Sequence, residues 1–141
     1  MKAKNRSKCP VTYSLDVVGD KWSLLILRDI ILQGKQFYQE FSRSEEGIST
    51  NILANRLEML ECSGILLKAR DTVDRKRFVY SPTRKGLDLL PVIMAMVQWG
   101  AKYDATTGAP PDVIRKIEED PVAYMDAIRA RFNEPGAGPQ G

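Results

Sequence analysis

Apolar residues recur at helical spacing along most of this chain, and one short region alternates instead. In "ISTNILANRLEMLECSGIL", residues 48–66, Leu53, Leu57 and Leu60 fall on one helical face and predict a buried stripe. Ser49 is placed to cap the start of this helix, and Gly64 to close it in the left-handed conformation that helix ends favour. Upstream, "TYSLDVVGDKWSLLILRDIIL", residues 12–32, carries Leu15, Val18, Trp22, Leu25, Ile26 and Ile30 in a helical stripe. Gly19 and Asp20 weaken its middle, so it reads either as one helix or as two, the second capped by Asp20. Gly34 ends it, and a short helix follows in "QFYQEFSRS" with Phe37 and Phe41 facing one way. A short helix, a tight polar connection and a longer helix outline a helix-turn-helix.

Beyond Gly64 the period changes. "ILLKAR" and "RFVYS" are strand-like runs on either side of the polar turn "DTVDRK", which predicts a β-hairpin with a basic tip. Helices followed by such a hairpin make a winged helix-turn-helix, so the fold class is mainly α (α+β), with a two-stranded wing. The next run, "LDLLPVIMAMVQWGAKY", is helical and apolar nearly all round, which calls for cover on every side. A second copy of the chain is the natural cover, and Leu90, Ile93, Met94, Val97 and Trp99 are the expected interface of a C-terminal dimerisation helix. The expected organisation is a basic arm (1–8), a DNA-binding and dimerisation domain (9–103), a linker (104–111), a helical extension (112–133) and a disordered tail (134–141). Within the extension, Asp120 and Pro121 open a last helix whose stripe is Val122, Met125, Ile128 and Phe132.

With 141 residues, 43% hydrophobic and 28% charged, the chain fits one ordinary globular domain. No apolar run approaches the roughly 20 residues that span a bilayer, and no signal-type segment opens the chain, so a cytoplasmic protein is expected. Two cysteines and no histidine argue against a disulfide framework, a metal site or any other cofactor. The lack of histidine, of a Gly-rich phosphate loop and of a hydrolase elbow argues against an enzyme. The remaining enzymatic alternative is a thiol peroxidase using Cys9.

Charge changes the picture more than composition does. The net charge is only +3, yet Lys2, Lys4, Arg6 and Lys8 stand in the first eight residues without an acid. Residues 68–85 hold seven bases against two acids, so the remainder is net negative. Such segregation points to a polyanionic partner, double-stranded DNA. With the leucines of the 48–66 helix inward, Asn51 and Asn55 face outward near its start, flanked by Thr50 and Arg56. Asparagine donates and accepts at once, which matches the N6 and N7 of adenine in the major groove. Ser49 and the amides it caps suit a phosphate, and Arg56 suits a phosphate or a nearby carboxylate. Arg75, Lys76 and Arg77 at the wing tip suit phosphates or the minor groove. The alternative is a protein-interaction winged helix, which would show an apolar outward face. A small-molecule effector would find apolar side chains around the dimerisation helix.

Three stretches also resemble the HxlR-type family of bacterial winged-helix transcription regulators. They are "CPVTYSLDVVGDKWSLLILRDI", "GISTNILANRLEMLECSGIL" and "YSPTRKGLDLLPVIMAMVQWG", together spanning about residues 9–103. The resemblance implies a homodimeric DNA-binding regulator, often responding to small molecules or to reactive electrophiles, and a dimer with two recognition helices about 34 Å apart would match an inverted repeat. In part of that family a cysteine at the Cys9 position is a thiol sensor. Lys8 and Arg6 are expected to favour its thiolate here. The wing departs from the family pattern, with "TVDRKR" where a proline-bearing loop is usual.

Overall fold

The computed structural model describes residues 6–133. Expectations for residues 1–5 of the basic arm and for the 134–141 tail lie outside the described residues. The chain divides at Gly19–Asp20, giving α1 (Pro10–Val18) and α2 (Ser23–Ile31). The reason is local: the Asp20 carboxylate accepts the Trp22 and Ser23 amides, each at 3.0 Å, and the Ser23 hydroxyl at 2.5 Å. This satisfies the open donors of α2 and prevents α1 from running on. The break also turns α1, so Leu15, expected inward, is 56% exposed beside Val11 one turn earlier, while Tyr13 is exposed on another side of the helix. α2 is the centre of the core, with Leu27 and Ile31 fully buried.

α3 (Tyr38–Ser42) follows, and the Glu40 carboxylate accepts the Gln36 and Phe37 amides at 3.0 and 3.1 Å. Phe41 is buried and Phe37 only half-buried. α4 (Thr50–Cys62) is capped by Ser49, whose hydroxyl accepts the Ile52 amide at 3.3 Å. Leu53, Leu57 and Leu60 are at most 2% exposed, as the stripe requires. Truncating any of them to alanine costs about 2–5 kcal/mol. Gly34 and Gly64 both take the left-handed conformation, with φ of 71° and 76°.

β1 (Leu66–Arg70) and β2 (Phe78–Pro82) pair antiparallel, with Lys68 opposite Tyr80 and Arg70 opposite Phe78. The Tyr80 amide donates to the Gln36 carbonyl at 2.8 Å, and its ring meets Phe41 edge-on, so the wing is anchored to the start of α3. A turn of helix, α5 (Arg84–Leu87), leads into α6 (Leu90–Tyr103).

The residues expected at a dimer interface divide on α6. Leu90, Ile93 and Met94 are at most 4% exposed, within the protomer's own core, and Val97 is partly buried against it. Leu90, Ile93 and Met94 are therefore corrected from interface to core, because the winged-helix body needs one face of α6 for itself. Trp99 is 69% exposed, and Val92, Met96 and Tyr103 share its outward side.

Two further helices, α7 (Pro111–Glu119) and α8 (Pro121–Asn133), fold back on this body. Asp120 caps α8 through the Ala123 amide at 3.1 Å. Ile117 and Ile128 are buried, and Arg131 Nη2 donates to the Ile31 carbonyl at 2.9 Å. Val122, expected in the α8 stripe, is 61% exposed, since it precedes the turn of α8 that reaches the core. Among the described residues, no helix is long and apolar enough to cross a membrane.

Candidate nucleic-acid interface

α3, the connection at residues 43–49 and α4 form the helix-turn-helix. The leucine stripe fixes the rotation of α4, so the opposite face is set by packing alone. On it Ser49, Thr50, Asn51 and Asn55 are all exposed near the helix start. The Tyr38 hydroxyl donates to the Thr50 carbonyl at 3.2 Å and ties this first turn to α3. Asn51 keeps its whole amide available. Asn55 does not, because its side-chain carbonyl accepts from Arg56 Nη2 at 2.6 Å and Nε at 3.2 Å. Arg56 is also 3.5 Å from Asp20, so it has found a carboxylate as well as the asparagine. Burial alone would raise the Asp20 carboxyl, but the Ser23 hydroxyl, the Trp22 and Ser23 amides and, least, Arg56 together hold it below the usual carboxylate range.

The wing tip is a tightly braced turn. The Asp71 carboxylate accepts Arg77 Nε at 2.7 Å and the Asp74 and Val73 amides at 3.2 and 3.4 Å. Chiefly through Arg77, these bonds hold its carboxyl below the usual range. The Arg77 guanidinium also lies 3.8 Å over the Phe37 ring, and Arg70 Nη1 donates to the Arg75 carbonyl at 2.8 Å. Arg77, whose side chain is 49% exposed, is thus braced by a carboxylate and an aromatic platform at the wing tip. Arg75 and Lys76 stay exposed and, among the described residues, have no ion-pair partner. Lys68 and Arg70 lie over the Phe78 ring at 4.2 and 4.8 Å, which extends the basic surface along β1.

Sequence reasoning missed Tyr38, Phe37 and Arg70. For Arg70 a signal was present: Lys68 and Arg70 are two apart on a strand, hence on one face.

Cys9 is exposed at the N-terminal end of α1. The Thr12 and Val11 backbone amides, and the Thr12 hydroxyl, hold its thiol below the ordinary range. The cause differs from the expected one. Arg6 is engaged by Asp16 at 2.6 Å, so the helix end, not the basic neighbours, favours the thiolate. Cys62 is exposed and nothing is assigned to it.

Known proteins share this arrangement. The HxlR-like helix-turn-helix profile matches residues 17–107. The uncharacterized HTH-type transcriptional regulator YdeP of Bacillus subtilis is 35% identical over 95 residues, 67% of this chain and 73% of that protein. Among solved structures, the oxidized form of the redox regulator HypR is 31% identical, with a TM-score of 0.62 over 68% of this chain and 98% of that one. The reduced form of the transcriptional regulator YodB from B. subtilis is 25% identical, with a TM-score of 0.56 over 69% of this chain and 95% of that one. The chain belongs to the HxlR-like helix-turn-helix family and is a transcriptional regulator of the helix-turn-helix type.

Proposed function

We propose that the protein binds a specific inverted-repeat operator as a homodimer, reading bases through the start of α4 and gripping phosphates with the wing. The observation that carries this is the pairing of a capped, polar α4 start with a pre-formed wing tip on which the Arg75 and Lys76 side chains have no ion-pair partner among the described residues. Asn51 is the principal base reader, since both halves of its amide are available. Asn55 reads a second base once Arg56 releases its carbonyl and turns to a phosphate. Ser49 and Thr50 set the register against the backbone.

The homodimer is supported by apolar surface that the protomer leaves uncovered. Val92, Met96, Trp99 and Tyr103 line the outer side of α6, and Val11, Tyr13 and Leu15 line α1. The Lys85 ammonium of α5 lies 5.9 Å from the Tyr13 ring, so α1 is close to the start of this C-terminal half. A stripe of exposed large apolar side chains such as that of α6 marks an interaction site. Two α4 helices about 34 Å apart would then meet successive major grooves on one side of the duplex. Cys9 makes oxidation the effector signal: its thiol is exposed, lowered in pKa and at the start of a helix that exposes Val11 and Leu15.

Fluorescence anisotropy tests the reading, using the reduced protein, DNA from just upstream of its own coding sequence and a scrambled duplex across a salt series. Tight binding to the upstream DNA alone, weakening with salt, is expected. Equal binding to both duplexes would replace specific regulation with a non-specific role.

A further inference from the structure

At the C-terminal end of α2, five polar side chains meet away from the wing and the outer face of α4. Asp29 is only 2% exposed. Its carboxylate accepts Arg28 Nε at 3.0 Å, Arg28 Nη2 at 2.7 Å, Lys35 Nζ at 3.4 Å and the Ser44 hydroxyl. Lys35 also donates to Ser44 Oγ at 2.9 Å. Arg28 grips Glu46 with a fork, Nη1 to Oε2 and Nη2 to Oε1, both at 2.9 Å. Those bonds hold the Glu46 carboxyl down to about 2, so the fork persists at any ordinary pH.

Ser44 and Glu46 lie in residues 43–49, the connection that delivers the chain to the start of α4. The backbone there makes only short-range bonds, Ser44 amide to Phe41 carbonyl and Gly47 amide to Ser44 carbonyl. Besides Ile48, which packs against the core, this cluster ties the connection to the core helix. Its two acids and two bases cancel, so it adds nothing to the attraction for DNA. As stability alone it is a poor device, because apolar residues of similar volume serve as well as buried ion pairs. A guanidinium–carboxylate fork adds direction, since its two parallel bonds admit one geometry.

We infer that Arg28 and Asp29 are positioning residues for DNA reading: through Ser44 and Glu46 they hold the 43–49 connection so that the first turn of α4 is presented in one orientation. The inference rests on the reading that α4 contacts DNA. It assigns to α2 a part in specificity although α2 need not touch the duplex.

The test uses the full chain with Glu46→Gln, which removes one charge of the fork, and Arg28→Lys, which keeps the charge and loses the fork. Asp29→Asn is the third variant, and the first two carry the test if it does not fold. Amide hydrogen exchange is followed in residues 43–53 and, as internal reference, in residues 90–97 of the free protein. The ratio of affinities for the upstream and scrambled duplexes is measured well below each melting temperature. Exchange in 43–53 is expected to rise about fivefold relative to 90–97, which tracks any change in global stability, and the affinity ratio to fall about fivefold, as local opening by the loss of one polar contact gives. A uniform rise in both segments would mean that the cluster serves global stability, and unchanged exchange in 43–53 would mean that it positions nothing; either overturns the inference. Should the wild-type protein not prefer the upstream duplex, the DNA reading fails, and the exchange data still decide whether the cluster positions α4.

Discussion

Lys76 and Arg77 are adjacent cations at the wing tip, and the structure gives them opposite jobs. Lys76 is exposed and its ammonium has no ion-pair partner among the described residues, although the Asp74 carboxylate accepts its backbone amide at 3.1 Å, whereas Arg77 is bonded to Asp71 at 2.7 Å and stacked on Phe37. Lys76→Ala should therefore remove one phosphate contact per protomer and leave the fold alone. Each lost contact lowers the slope of log K against log salt by about 0.9. From about 50 to about 200 mM salt, one contact accounts for roughly a 3.5-fold loss of affinity, and the two of a dimer for roughly twelvefold. The Lys76→Ala dimer should accordingly lose about twelvefold less affinity over that range than the wild type, equally on specific and scrambled DNA. Arg77→Ala should leave the slope nearly unchanged, because Asp71 already neutralises that charge, and should instead lower the melting temperature by freeing the turn. The assay is anisotropy over a salt titration, with thermal unfolding alongside. An unchanged slope for Lys76→Ala, or a slope loss confined to Arg77→Ala, would refute this division of labour.

Met96→Glu places a charge in the uncovered stripe of α6 and should raise the dimer dissociation constant at least tenfold, about 1.4 kcal/mol, in sedimentation equilibrium. Because Met96 is 55% exposed in the protomer, the unfolding of dilute protein should change little. The Glu46 carboxyl, lowered from 4.5 to about 2 by Arg28, stabilises the fold fully above its ordinary range, and this is lost as pH falls through about 2. The whole shift corresponds to about 3 kcal/mol. With the side chain 34% exposed, screening reduces it to about 1 kcal/mol, which Glu46→Gln should remove from the acid limb of a melting-temperature profile. Cys9 should react with iodoacetamide faster than Cys62, and Thr12→Val should slow it by removing the hydroxyl that favours the thiolate, as timed by mass spectrometry.

Much of the fold was legible because its signals are local. The leucine stripe of α4, the Ser49 cap, the glycines at 34 and 64 and the Asp120–Pro121 start of α8 each depend on a few neighbouring residues. What escaped depends on partners distant in sequence. An all-round apolar helix announces that it will be covered, yet nothing in its own residues says which side the protomer covers. Hence Leu90, Ile93 and Met94 belong to the core, while Val92, Met96 and Tyr103 stand outside with Trp99. The Asp20 break rotated α1 and left Leu15 outside, a consequence of three hydrogen bonds that periodicity does not register.

The candidate site divides the same way. Asn51, Asn55 and the basic wing tip were visible as polar types on predicted faces. The bracing of Arg77 by Asp71 and Phe37 was not, because a run of bases looks alike whether or not each has found a partner. The Arg28–Asp29–Glu46 cluster joins residues 18 apart, and in sequence its members read as ordinary solvated charges.

The most direct test of the central claim is the affinity ratio, upstream duplex over scrambled duplex, for the wild type and for Asn51→Ala. The account predicts that Asn51→Ala lowers this ratio by about tenfold, within the roughly 1–3 kcal/mol of a bidentate asparagine–adenine contact, while affinity for the scrambled duplex stays nearly the same. Equal losses on both duplexes, or none on either, would contradict the claim that the start of α4 reads bases.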